Sequence, residues 1–260
     1  MKPAEATPQI HRIFQLTDFH IGSTDETLVR GVNTMKSLEL VLAHIASHCP
    51  RPDGFLLTGD LAEDPSPKTY TRIAQAFRGQ SSPLYFLPGN HDHPRVMQDV
   101  LTREGFQGKK IVGVGNWRIL LLDSTQDKTP VGKLGPQERQ WLAETLASLK
   151  EYWIIIALHH HPIPSGSAWM DIMMIEDSEP FLAITANHSN IKAVIFGHVH
   201  QEIDLMRENI RFLGTPSTCF QFAPGSSTFA TDSTDPGYRW VELHEDGQFF
   251  TQVERSGPTD

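Results

Sequence analysis

Ala193-Val194-Ile195-Phe196-Gly197-His198-Val199-His200 is a short apolar run that stops at a glycine, with two histidines one residue apart just beyond it. Val, Ile and Phe suit a buried strand. The carboxyl end of such a strand is where an open α/β sheet builds its site. The same arrangement recurs in both directions along the chain. Ile13-Phe14-Gln15-Leu16 runs into Thr17-Asp18-Phe19-His20, and Phe55-Leu56-Leu57 stops at Gly59-Asp60. Leu84-Tyr85-Phe86-Leu87 stops at Gly89-Asn90-His91-Asp92, and Trp153 to Leu158 runs into His159-His160-His161-Pro162. Each cluster alone has an ordinary explanation. Asp18 and Asp60 read as cap or turn residues, Gly89-Asn90 as a turn dipeptide, and part of the histidine triplet as core. What the five share is strand-end placement, and that points to one metal centre.

Between these runs lie helices. Met35, Leu38, Val41, Leu42 and Ile45 recur at helical spacing, so the chain is expected helical from Asn33, a capping residue, to His48. Lys68 to Phe77, Gln137 to Leu149 and Phe181 to Ala186 read likewise, and Ile119 to Leu122 as a further strand. Strand–helix alternation predicts mostly parallel pairing over the first two thirds. In the last third Ile203 to Met206, Ile210 to Leu213, Tyr238 to Leu243 and Phe249 to Val253 read as short strands. Glu208-Asn209 and Glu245-Asp246-Gly247 are their hairpin turns. The last third is therefore expected antiparallel, forming a second sheet packed on the first. Residues 1–260 read as a single α/β domain, with 1–10 and 255–260 as loose tails and Pro224 to Pro236 as the loosest internal segment.

The 260 residues carry a net charge of −9, which argues against a nucleic-acid partner, since that binding is driven by Lys and Arg. No run is long enough to span a membrane, and no signal peptide is read at the N-terminus. Cys49 and Cys219 make no disulfide framework, and a cytoplasmic location follows as the default. Thirteen histidines beside four tyrosines, gathered in clusters, point to metal.

The clusters supply carboxylate oxygen, amide oxygen and imidazole nitrogen, the donors that hard and borderline divalent ions take. Asp18 and His20, like His198 and His200, lie two apart and would share a face if the strand continued through them. Asp60 can bridge two ions, Asn90 offers a neutral oxygen, and one histidine of the triplet completes the set. Two ions about 3.5–4 Å apart hold a bridging hydroxide and clamp the phosphoryl oxygens of an in-line displacement. His91 is the natural proton donor to the leaving oxygen, with Asp92 orienting its ring. His44, His48, His188 and His244 read as bystanders, and Asp53, Asp123 and Glu63-Asp64 as turn or capping groups.

The ordered set Asp-x-His, Gly-Asp, Gly-Asn-His-Asp, His and Gly-His-x-His, spanning Asp18 to His200, resembles the signature of the calcineurin-like metallophosphoesterases. The resemblance implies a four-layer αββα sandwich of two mixed sheets flanked by helices. It also implies a dinuclear centre: Asp18, His20, Asp60 and His200 on one ion, and Asp60, Asn90, His159 and His198 on the other. In that scheme His159 is the ligand from the triplet, and His91 is the proton donor or phosphate contact. Substrate contacts fall to His20, Asp60, Asn90, His91 and His200. Gly31-Val32-Asn33-Thr34, Trp117 to Ser124, His159 to Gly166 and Thr215 to Phe222 further resemble the bacterial class III cyclic-nucleotide phosphodiesterases. That implies hydrolysis of 3′,5′-cyclic AMP to 5′-AMP by a metal-bridging hydroxide. The cofactors would be two divalent ions, iron or manganese, with cobalt or zinc as alternatives, in a monomer or homodimer. A broader phosphodiesterase or phosphomonoesterase, acting on glycerophosphodiesters or nucleotides, is the alternative. The two would differ in pocket walls, for which Asn116, Trp169, Met170, Met173, Met174, Cys219 and Phe222 are candidates, with Pro224 to Pro236 shaping the nucleoside end. A non-catalytic metal-stabilised scaffold is the remaining reading.

Overall fold

The computed structural model describes residues 9–48 and 51–257; Cys49 lies outside them. In chain order the elements are β1 (Ile10–Leu16), α1 (Thr34–His48), β2 (Gly54–Thr58), α2 (Pro67–Ala76), β3 (Leu84–Leu87), α3 (Pro94–Arg103), β4 (Ile111–Val114) and β5 (Trp117–Leu121). There follow α4 (Gly135–Ser148), β6 (Trp153–Leu158), α5 (Ala168–Asp171), α6 (Ser178–Thr185), β7 (Ile191–Phe196), β8 (Ile203–Arg207) and β9 (Ile210–Gly214). The chain closes with β10 (Gln221–Phe222), β11 (Thr231–Asp232), β12 (Gly237–His244) and β13 (Phe249–Arg255). One sheet runs β13-β12-β1-β2-β3 and the other β4-β5-β6-β7-β9-β8. β1, β2 and β3 pair in parallel, as do β5, β6, β7 and β9, while β12, β13, β4 and β8 join antiparallel.

Three cores make four layers of this. Phe14, Leu16, Phe55 and Leu57 pack under α1, α2 and α3 on one outer face. Leu120, Ile154, Ile156, Val194 and Phe196 pack under α4 and α6 on the other. Ile13, Leu56, Leu87, Ile119, Ile155, Ile195 and Val241 fill the space between the sheets. Alternate residues of each central strand thus face opposite cores, both of them apolar. This is why those strands read as unbroken apolar runs.

The expected αββα architecture is present, but the route to it differs from the one expected. The second sheet begins at β4 in mid-chain, and β9 joins it parallel to β7. The final hairpin, β12 and β13, is wholly antiparallel, as is the small β10–β11 pair, but the hairpin returns to the first sheet beside β1. Local pattern marks a strand without naming its partner, so pairing across some 230 residues, as of Ile10 with His244, left no local trace. α3 and β4 were not among the expected elements. Ile10 and Arg255 both lie in strands, so ordered pairing reaches one residue into each expected tail.

Near the site the sheets are tied by buried polar groups. Gln15 donates from Nε2 to Thr58 Oγ1 at 2.9 Å and to the Phe196 carbonyl at 3.3 Å. Its Oε1 accepts from Thr215 Oγ1 at 2.6 Å. The buried Arg239 guanidinium donates to Thr215 Oγ1 and to the Ile203 and Gly214 carbonyls. Gln15→Leu would leave Thr58 and Thr215 short of buried partners. We expect it to lower unfolding free energy by roughly 1–3 kcal/mol in urea titrations, with the secondary structure intact.

Candidate metal centre

The strands deliver the ligands but do not contain them. β1 ends at Leu16, and Asp18 and His20 lie beyond it with φ of 57° and 48°. Asp60, His198 and His200 likewise lie in left-handed backbone, at φ of 51°, 68° and 46°. The strand-face argument for the two Asp/His-x-His pairs therefore does not hold. Their side chains converge because the chain coils at the strand tip. Backbone hydrogen bonds hold that coil: Asp18, His20 and Ile21 donate to the carbonyls of Gly59, Asp60 and Leu61, each at 3.0 Å. Gly89 allows the next loop to close on it, since a Cβ there would stand 2.2 Å from Asp60 Oδ1.

Seven side chains meet at short range around two points. Asp18 Oδ1 lies 3.3 Å from His200 Nε2, which lies 3.3 Å from His20 Nε2, itself 3.8 Å from Asp60 Oδ2. On the other side of Asp60, His159 Nε2 is 3.3 Å from Oδ2 and 3.2 Å from Asn90 Oδ1. His198 closes this second group, its ring centroid 5.0 Å from that of His159. Its backbone N–H donates to both oxygens of Asp18 at 3.1 Å.

The tautomers show what these groups lack. His159 Nδ1–H donates to the Thr58 carbonyl at 2.9 Å and His200 Nδ1–H to the Phe220 carbonyl at 2.8 Å. His20 Nδ1–H meets Glu63 Oε2 at 2.8 Å. With Nδ1 so committed, each Nε2 presents a lone pair, as metal-bound histidines do. Here those lone pairs face one another or the acceptors of Asp60 and Asn90, and only a proton or a cation between them resolves the repulsion. His198 Nε2 is buried with no hydrogen-bond partner. Ions bound at about 2.0–2.2 Å hold neighbouring donors roughly 3–3.4 Å apart, as these are. The donor set fits two divalent ions.

Charge tells the same story. Burial raises the Asp18 and Asp60 carboxyls, but His200 beside the first and His159 beside the second hold both below the usual carboxylate range. Burial pulls His159 down, yet Asp60 and Asp18 carry it up to about 9. Burial holds His20 below its ordinary value despite Glu63 and Asp60, and it sinks His198 further, with His160 and His159 alongside.

His91 stands at the rim, its side chain 39% exposed, with Nδ1 3.3 Å from Glu63 Oε2. Burial lowers it, but Glu63 and Asp60 prevail and raise it to about 9. Asp92 does not touch it. The Asp92 carboxylate accepts from the N–H groups of Leu61, Ala62 and Gly89 and from Tyr70 Oη, pinning the two ligand loops together. Burial and the Asp60 charge raise Asp92 to about 6. Its expected place beside His91 belongs to Glu63, which had read as a turn residue. Nothing in a carboxylate three residues past Asp60 marks it in the sequence; the fold alone brings it to two histidines.

A cleft of about 620 Å³, counting its open mouth, leads to the centre past Trp169, Met170, Met173 and Phe222. Of the other expected wall residues, Asn116 sits on the far β4–β5 turn, Met174 does not line the cleft, and the buried Cys219 hydrogen-bonds the Asp18 carbonyl beneath the floor. Arg30, Phe220 and Phe229 are wall residues that the sequence reading missed; Phe229 comes from the Pro224 to Pro236 segment. Among the triplet, His160 Nδ1 meets Ser124 Oγ at 2.8 Å, and His161 Nε2 lies 3.6 Å from Asp171. Among the described residues no helix is long and apolar enough to cross a membrane.

Two sheets whose strand tips gather carboxylates, an amide and imidazoles around two cation positions define a dinuclear metallohydrolase type of site. The profile of the Calcineurin-like phosphoesterase family matches residues 11–202, and the chain belongs to that family. It is 38% identical over 243 residues to the 3′,5′-cyclic adenosine monophosphate phosphodiesterase CpdA of Pseudomonas aeruginosa, covering 94% of this chain and 89% of that protein. It is 39% identical over 249 residues to CpdA of Escherichia coli K12, covering 95% and 90%. A 3′,5′-cyclic-nucleotide phosphodiesterase of Nostoc is 35% identical over 243 residues, covering 94% and 91%. Among solved structures, a dimetal phosphatase from Danio rerio shares the fold with a TM-score of 0.66 at 15% identity, over 96% of this chain and all of that one.

Because Asp60 touches both donor groups, Asp60→Ala is expected to lose both ions together. Metal analysis of protein reconstituted with manganese should give well under one ion per chain. Two tightly held ions would contradict the bridging role.

Proposed function

We propose that this chain is a phosphodiesterase that hydrolyses 3′,5′-cyclic AMP to 5′-AMP. One observation carries the reading. Carboxylates, an amide and imidazoles grouped to hold metal lie at the head of an aromatic cleft in a protein 38–39% identical to cyclic AMP phosphodiesterases over almost its whole length. Asp18, His20, Asp60 and His200 would hold one ion, and Asp60, Asn90, His159 and His198 the other. When bound, the two ions supply an activated water and a positive field for the phosphoryl oxygens. Iron or manganese suits these donors, and cobalt or zinc is compatible with them. The reading extends to a single domain acting as monomer or homodimer in the cytoplasm, on a small cyclic nucleotide and not on nucleic acid.

The protein's own groups then account for the remaining work. His20, Asp60, Asn90, His91 and His200 surround the place of the phosphate. His91 Nδ1–H is occupied by Glu63, which leaves Nε2–H to protonate the departing 3′ oxygen. Glu63 fixes the His20 ring through the same oxygen, so ligand and acid are set by one carboxylate. Asp92 acts only through the loops that it joins.

The test is a panel of cyclic AMP, bis(p-nitrophenyl) phosphate, glycerophosphodiesters and 5′-AMP with manganese-loaded protein. Cyclic AMP should show the highest kcat/KM. Turnover of the generic diester without any of cyclic AMP would favour the broader phosphoesterase.

His91→Ala should keep its metal and lose about 10²–10⁴-fold in kcat on cyclic AMP. The loss should be much smaller on bis(p-nitrophenyl) phosphate, whose leaving group needs no proton. Equal losses on both would remove His91 from acid catalysis.

A further inference from the structure

The cleft wall holds one cation that the reaction does not use. Among the described residues, Arg30 is the only Lys or Arg lining the cleft, and none of their ion pairs involves it. Its position is built. Val29 and Val32 exchange backbone hydrogen bonds of 2.9 Å, closing a two-residue turn over Arg30 and Gly31 at φ of 53° and 82°. Both turn residues carry positive φ, a backbone that favours Asn or Gly at the first position. An arginine there runs against local preference, and such departures gather at functional sites.

The side chain does not wander from this turn. Its guanidinium lies 4.5 Å over the Phe229 ring, a cation–π contact. Phe229 packs edge-on to Trp169 at 5.1 Å and to Phe222 at 5.6 Å. Phe222 in turn stacks on the ligand His200 at 4.2 Å. A continuous aromatic wall therefore runs from the metal centre to a planar, clamped set of N–H donors at the cleft mouth. On the same wall Trp169 Nε1 is buried without a hydrogen-bond partner. The wall has flat apolar faces for a base and donors awaiting acceptors.

We infer that Arg30, clamped on Phe229, is a specificity-determining residue that reads the purine edge of the cyclic nucleotide. This rests on the cyclic-nucleotide reading of the site. An arginine fork pairs with the O6 and N7 acceptors of guanine, whereas adenine offers N7 beside an amino donor. Arg30 thus admits cyclic GMP alongside cyclic AMP, and its removal narrows the enzyme toward adenine.

The experiment compares kcat and KM for cyclic GMP, cyclic AMP and bis(p-nitrophenyl) phosphate in the manganese-loaded wild type, Arg30→Leu, Arg30→Lys and Arg30→Gly. A bidentate contact of this kind corresponds to roughly 5- to 100-fold in discrimination. Arg30→Leu should lower kcat/KM for cyclic GMP by that factor, chiefly through KM. Cyclic AMP should change far less, and the base-free diester not at all. Arg30→Lys, a point charge without the fork, should recover only part of the loss. Arg30→Gly, which suits the positive φ, should reproduce the loss with no fall in melting temperature. An unchanged ratio of cyclic GMP to cyclic AMP in both Arg30→Leu and Arg30→Gly would overturn the inference, as would an equal loss on the base-free diester. A wild type that cleaves the diester but neither cyclic nucleotide would instead defeat the reading of the substrate itself.

Discussion

Asp18 and Asp60 are buried to 0% and 2% exposure, and the imidazoles of His20, His159, His198 and His200 are packed around them with almost as little water. Two charged carboxylates in such a place are expensive unless they are paired. His159, carried up to about 9 by Asp60 and Asp18, can hold one positive charge between them, but burial keeps His20 and His198 below their ordinary values, so the imidazoles do not supply the rest. The tautomers that fix the rings also turn their lone pairs inward, towards groups that can only accept. The arrangement is therefore a demand for positive charge at two positions on either side of Asp60. The site chemistry, the loop geometry and the placement of His91 all answer to it.

That demand explains where the backbone bends. Side chains on a regular strand point alternately to its two faces, so a strand cannot aim consecutive clusters at a point beyond its own end. Leaving the strand and entering left-handed backbone does so, at a cost of about 1–2 kcal/mol for each non-glycine residue. Asp18, His20, Asp60, His198 and His200 all sit this way. The strain is concentrated on the residues whose direction matters most. It is offset by the flat apolar packing between the sheets and by the Gln15, Thr215 and Arg239 hydrogen bonds just behind them.

How much of this was legible in the sequence depends on whether the signal was local. The central strands and long helices were readable from periodicity, and the ligand types from their place after each apolar run. Asn33 caps α1 as its position suggested, its Oδ1 accepting from the Lys36 N–H at 3.1 Å. The sheet to which β12 belongs was not readable, because a strand's pattern is satisfied by any partner. The roles of Asp92 and Glu63 were exchanged for the same reason. Adjacency to His91 favoured Asp92, yet in the 89–92 turn that carboxylate points back to the Leu61 and Ala62 N–H groups. Glu63, 28 positions earlier, is carried to the His91 ring by the loop after β2.

The division of labour between centre and wall follows from these constraints. The centre is over-determined: Asp18, His20, Asp60, His198 and His200 are aimed by left-handed backbone, His20, His159 and His200 are fixed by a second hydrogen bond, and Gly89 closes on Asp60. Little can change there without losing the ions, so the centre fixes the chemistry and leaves selectivity to other parts. The wall is different. Arg30 and Gly31 occupy a two-residue turn, Trp169 a single helical turn, and Phe229 the segment between β10 and β11, with Arg30 over the Phe229 face and Trp169 edge-on to that ring. Substitutions in such segments alter what enters the cleft without disturbing what happens at its end. In this fold, then, Arg30, Trp169 and Phe229 lie outside the donor set, and they can vary separately from it.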